Sequence, residues 1–123
     1  MRMPDTLTLG PPQLPFAEPP LRVLVLTGRL TFGPENERSY EAMRRHIEQG
    51  ERRFIFDLSR VPDIDSAGVG FLVTCFTTVL RAGGELRLAA PGNRVFYVLL
   101  ITRLDTVFPI FESVEAAQAA AYT

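Results

Sequence analysis

Apolar residues gather in three short runs along this chain, RVLVLT at Arg22–Thr27, FIFDL at Phe54–Leu58 and ELRLAA at Glu85–Ala90, each bounded by glycine, proline or charged residues. Runs of this length rich in Val, Ile, Leu and Phe predict strands buried on both faces. Between them the apolar period changes. Gly33-Pro34 opens a helix with proline at its first position, Tyr40, Met43 and Ile47 recur at helical spacing, and Gly50 closes it. A second helix is predicted over Ser66–Ala82, with Val69, Leu72, Val73, Phe76, Val79 and Leu80 on one face and Gly83-Gly84 as its stop. Asn93 reads as the cap of a third helix reaching about Arg103, Val107–Phe111 as a last short strand, and Ser113–Ala121 as a closing alanine-rich helix. Strands alternating with helices at this spacing imply crossover connections and a largely parallel sheet. The fold class is α/β, with four to five strands and about four helices.

Residues 1–20 break the pattern. They hold six of the ten prolines, and proline fixes φ and removes an amide donor, so they read as a loop or edge segment with at most a strand at Thr6–Leu9. The organisation is therefore a proline-rich segment over 1–20 and one domain over 21–123, in a chain of 123 residues that is 46% hydrophobic.

Charge and cysteine content narrow the function. Thirteen basic side chains face fourteen acidic ones with no block of one sign, which removes the usual footprint of a nucleic-acid binder. Cys75 is the only cysteine, so no intrachain disulfide and no paired-cysteine metal site can form. No apolar run reaches the roughly 18 residues of a membrane span, and the amino terminus lacks a signal-like core. A cytoplasmic protein without membrane insertion and without a cofactor is expected.

The chemistry concentrates in one loop. Val61–Gly70 reads VPDIDSAGVG, between the second predicted strand and the second predicted helix. In a parallel sheet, ligands and partners meet the protein where strands end and helices begin, so Ser66 stands at a presented edge. Serine there serves as an N-cap that accepts backbone amides, while Ala67, Gly68 and Gly70 keep the first turn narrow enough for another backbone to approach. Phe71 falls off the predicted apolar face and is expected to be at least partly exposed beside Ser66.

Three segments carry a family resemblance: FIFDLSRVPDIDSAGVGFL, GGELRLAAP and RVFYVLLITRLDTVFPIFESVEAA. Together, from about Val23 onward, they resemble the STAS domain of bacterial anti-sigma-factor antagonists. The most specific parts are Asp65–Gly70 (D-S-x-G-x-G), Asp57–Ser59 and the carboxy-terminal register of Leu104–Ala117. The resemblance implies that Ser66 is phosphorylated by a partner that is both an anti-sigma factor and a serine kinase. With that partner docking on the loop, Asp63, Asp65, Ser66, the small Ala67, Gly68 and Gly70, and Phe71 are the residues expected to meet it. Other members of the superfamily, a signalling-scaffold subunit or the STAS component of a lipid transporter, form the alternative.

Two features depart from the family. Many relatives carry acids after the glycine that ends the first strand, whereas this chain has Gly28-Arg29-Leu30-Thr31. The third helix, RVFYVLLITR at Arg94–Arg103, has more apolar residues than one buried stripe can use, so some of Phe96, Tyr97, Leu100 and Ile101 must lie off the core face, where they form a self-association or partner surface or are covered by the proline-rich segment over 1–20. Catalysis fits poorly. A serine hydrolase needs a base within reach, yet His46 is the only histidine and the I-D-S-A-G around Ser66 lacks the nucleophile elbow. No catalytic residue and no metal ligand set is expected, and a small serine hydrolase stands behind both binding readings.

Overall fold

The computed structural model describes residues 21–31 and 33–120, and the strand expected at Thr6–Leu9 lies outside them. Among the described residues four strands, β1 (Leu21–Thr27), β2 (Arg53–Arg60), β3 (Glu85–Ala89) and β4 (Ile110–Phe111), pair in parallel in the order β1-β2-β3-β4. Helices α1 (Pro34–Glu48), α2 (Ser66–Arg81) and α3 (Asn93–Ile101) connect them, a short turn of 3-10 helix at Leu104–Thr106 precedes β4, and α4 (Val114–Ala119) follows it.

Alternation along each strand divides the core into two layers. Leu24, Leu26, Phe54, Phe56, Leu58, Leu86 and Leu88 point to one face and pack against Met43 of α1, Leu72, Cys75 and Val79 of α2, and Val95 and Leu99 of α3. Ile55 and Ala89 point to the other face, where Ala117 of α4 meets them. Among the described residues β1 is an edge strand, and half of Val25 is exposed, so the burial on both faces expected for RVLVLT holds for β2 and β3 and not for β1.

Local signals place most boundaries. Proline stands at the first position of α1, where a missing amide costs nothing, and Ser113 caps α4 by accepting from the Ala116 amide at 3.0 Å. Three expectations are corrected. Gly92, not Asn93, is the cap residue of α3, and it supplies no side chain. The fourth strand, expected from Val107, shrinks to Ile110–Phe111 because the Val107 and Phe108 amides turn back to the Leu104 carbonyl at 3.0 and 2.9 Å and continue the turn of Leu104–Thr106. On α2 the buried residues are Gly68, Phe71, Leu72, Cys75 and Val79, while Val73 and Leu80 are exposed, so the helix is rotated relative to the face read from periodicity.

Candidate functional site

Because all strands run in parallel, the loops that follow β1, β2 and β3 emerge at one edge of the sheet. The first two are bonded into a single unit. The Gly28 amide donates to the Arg60 carbonyl at 3.1 Å, Leu30 to Asp63 at 3.0 Å, and Asp65 to Leu30 at 3.3 Å. Leu30 and Ile64 form a parallel bridge beyond the strand ends.

Gly68 locks this pair of loops against α2. A Cβ on Gly68 would collide with the Leu30 carbonyl and crowd Ile64 Cγ1. Its smallness therefore serves a contact within the molecule, where the sequence allowed either the chain's own loop or a partner. Gly70 differs: no atom outside its own helix lies within reach of a Cβ there, and it is exposed. Gly70 and the half-buried Ala67 are the small residues that an incoming backbone can meet.

Asp65 caps α2. Its Oδ1 accepts the Gly68 amide at 2.9 Å and its Oδ2 accepts the Thr31 hydroxyl at 2.6 Å. The Thr31 hydroxyl first, and then the Gly68 amide, hold the Asp65 carboxyl below the usual carboxylate range. The capping role expected of Ser66 thus belongs to Asp65, because the extended backbone at that residue points the carboxylate back along the first turn. Ser66 becomes the first residue of the helix, exposed, and its hydroxyl bonds to no described residue. Thr74, by contrast, donates its hydroxyl to the Gly70 carbonyl at 2.9 Å.

Two arginines close over the loop. Arg29 spans both acids, at 3.8 Å from Asp63 Oδ2 and 3.9 Å from Asp65 Oδ2, and Arg94 in the first turn of α3 lies 3.5 Å from the same oxygen of Asp63. The sequence marked Arg29 only as a departure and Arg94 only as part of a helix. Two aspartates within three residues, opposite a loop that replaces acids by Arg29 and Thr31, were the available signal.

Phe71 is only 9% exposed and belongs to the main core, against the expectation of an exposed aromatic beside Ser66. It forms the floor of a cleft of about 490 Å³ between α1 and α2, lined also by Tyr40, Asn36 and Thr74. Phe96, Tyr97, Leu100 and Ile101 are all exposed, Tyr97 by 63%, so the surplus apolar residues of α3 do face outward. His46 is half-buried and pairs with Glu51 at 3.2 Å, in a structural contact. Cys75 is fully buried, and burial pushes its thiol up to about 12, which leaves it unreactive as a nucleophile. Among the described residues no group of acids, histidines or cysteines could hold a metal, and no helix is long and apolar enough to cross a membrane.

The described residues thus form a parallel α/β domain that presents an exposed serine on a charged loop at the strand ends. The chain belongs to the STAS domain family, whose model matches residues 14–117. A Thermotoga neapolitana protein, provisionally named an anti-sigma factor antagonist, is 34% identical over 71 residues, which is 58% of this chain and 63% of that protein. The aligned region thus spans less than two thirds of that relative's length. A crystal structure of a Thermotoga maritima protein with the same provisional name superposes with a TM-score of 0.68 at 24% identity, covering 78% of this chain and 84% of that one. A sulfate transporter family protein from Wolinella succinogenes superposes equally well, with a TM-score of 0.68 at 21% identity over 80% and 84% of the two chains. At these identities the structural likenesses establish the fold, and the fold is shared by both kinds of protein.

Proposed function

We propose that this chain is an anti-sigma-factor antagonist that binds a kinase-type anti-sigma factor through the Ser66 loop and is released when Ser66 is phosphorylated. The observation that carries this reading is the state of Ser66 itself: exposed, at the start of α2, with its hydroxyl bonded to no described residue while Asp65 does the capping. Because the carboxylate of Asp65 holds the cap, phosphate on Ser66 leaves that bond in place, and the free amides and dipole of the first turn can accommodate the added charge. The names of the relatives support the same reading.

The chemistry is a phosphoryl transfer in which the partner supplies ATP. Ser66 Oγ forms a bond to the γ-phosphorus, the bond from that phosphorus to the ADP oxygen breaks, and the hydroxyl proton leaves to a base of the kinase. The product adds about −1.5 to −2 charges beside Asp63 and Asp65. A docked partner would then have to desolvate a dianion next to two carboxylates, and a loss of a few kcal/mol lowers affinity by orders of magnitude.

The docking surface extends beyond the loop. Arg94, Tyr97 and Ile101 recur at i, i+3 and i+7 on α3, so the apolar stripe runs away from the arginine that touches Asp63. Tyr97 and Ile101 are more than half exposed, and we assign them to the same partner as the loop. Incubation with the anti-sigma factor and ATP, followed by mass-spectrometric mapping, tests the assignment. Phosphate is expected on Ser66 alone. Phosphate on Ser59 or Thr74 with none on Ser66 contradicts it.

A further inference from the structure

The reading above treats the phosphate as a charge added to an acidic loop, but the loop also holds two cations whose present contacts are weak. Arg29 and Arg94 meet their carboxylates at 3.5–3.9 Å, the outer edge of ion pairing, and their side chains are 58% and 78% exposed. Exposed pairs of this kind contribute little. Arg94 also stands in the first turn of α3, where the helix dipole disfavours a cation and where no acidic residue offsets it. Among the described residues its charged partner is Asp63, three residues before Ser66.

From this placement we infer that Arg29 and Arg94 form a two-armed clamp for phosphate on Ser66, and that phosphorylation draws both guanidinium groups away from Asp63 and Asp65. The inference rests on Ser66 as the modified residue. A phosphate carries nearly twice the charge of a carboxylate and three acceptor oxygens, and the planar fork of arginine matches it in a bidentate way. Arg29 already reaches Asp65, the residue bonded to Ser66, and Arg94 comes to the same loop from the first turn of α3. Asp65 keeps the Thr31 hydroxyl and the Gly68 amide when Arg29 leaves, so α2 stays capped. The modified loop is then a fixed structure, with both arginines turned inward and unavailable to a partner that met them in the unmodified protein.

The test needs no partner. Phosphoserine is installed at position 66 of the full chain during translation, and its second ionisation is followed by 31P NMR in the wild type and in Arg29→Ala, Arg94→Ala, the two together, and Arg29→Lys. That ionisation falls near 6 without neighbours. In the wild type it is expected about one pH unit lower. Each alanine variant should raise it part of the way back towards 6, the two together should return it to 6 or above, since Asp63 and Asp65 remain, and Arg29→Lys should keep more of the shift than Arg29→Ala. Both arginines are exposed, so the variants fold. A wild-type value at or above 6 overturns the clamp, and a response to only one arginine overturns its two-armed form. Failure of the underlying reading shows elsewhere, as kinase labelling of another residue or as unchanged partner affinity, and neither outcome moves the 31P titration.

Discussion

Gly68 and Gly70 stand two residues apart in the same helix and answer to different constraints. Gly68 lies under the Leu30 carbonyl, so any side chain forces the loop after β1 away from the loop after β2. Gly68→Ala is expected to destabilise the fold by about 1–3 kcal/mol, the usual cost of overpacking. A β-branched residue should cost more. Gly70 faces open space in a helix, and Gly70→Ala should stabilise by about 0.5–1 kcal/mol through reduced backbone entropy in the unfolded chain. Denaturant midpoints of the two variants should therefore move in opposite directions, and a shift of the same sign in both contradicts the close contact at Leu30. The sequence showed that small residues were needed in this turn. It could not show that one of them is packed against the molecule's own backbone, because that contact joins segments 38 residues apart.

At the scale of elements, α2 shows where periodicity is informative and where it fails. Its start, its end and its helical state were readable from the D-S-x-G-x-G turn and the Gly83-Gly84 stop. Its orientation was not, because Val69, Phe71, Leu72, Val73, Phe76, Val79 and Leu80 are apolar nearly all the way round, and such a helix has no unique buried stripe. Packing against β3 and α1 decides the rotation, burying Phe71 and Cys75 and leaving Val73 and Leu80 outside. Leu72→Ala should accordingly cost about 2–5 kcal/mol. Val73→Ala and Leu80→Ala should stay within about 0.5 kcal/mol. Equal losses at Leu72 and Leu80, measured by chemical denaturation, would contradict the observed rotation. On α3 the same surplus was legible as an excess over one stripe, and the exposed Tyr97 and Ile101 match it. The sheet was the most legible part, since buried β2 and β3 carry short runs dense in Phe, Ile and Leu while helices separate them in sequence.

For the whole molecule, parallel topology is what turns separate loops into one surface. It brings Arg29 after β1, Asp63 to Ser66 after β2 and Arg94 after β3 to a single edge, although these residues span much of the described chain. The serine and its two aspartates were legible because they are contiguous and carry the family resemblance. The arginines that face them were not, because only the fold places them there. Ser66 is exposed and outside the core, although Leu30 and Ile64 of the same edge belong to it, so modification of Ser66 is expected to change binding and leave stability nearly unchanged. The measurement that tests this most directly is calorimetric titration of the kinase-type anti-sigma factor with two forms of the chain, one unmodified and one carrying phosphoserine at position 66. The phosphorylated form should bind on the order of a hundredfold more weakly, the equivalent of about 3 kcal/mol, with the same thermal midpoint. Equal affinity of the two forms would contradict the account.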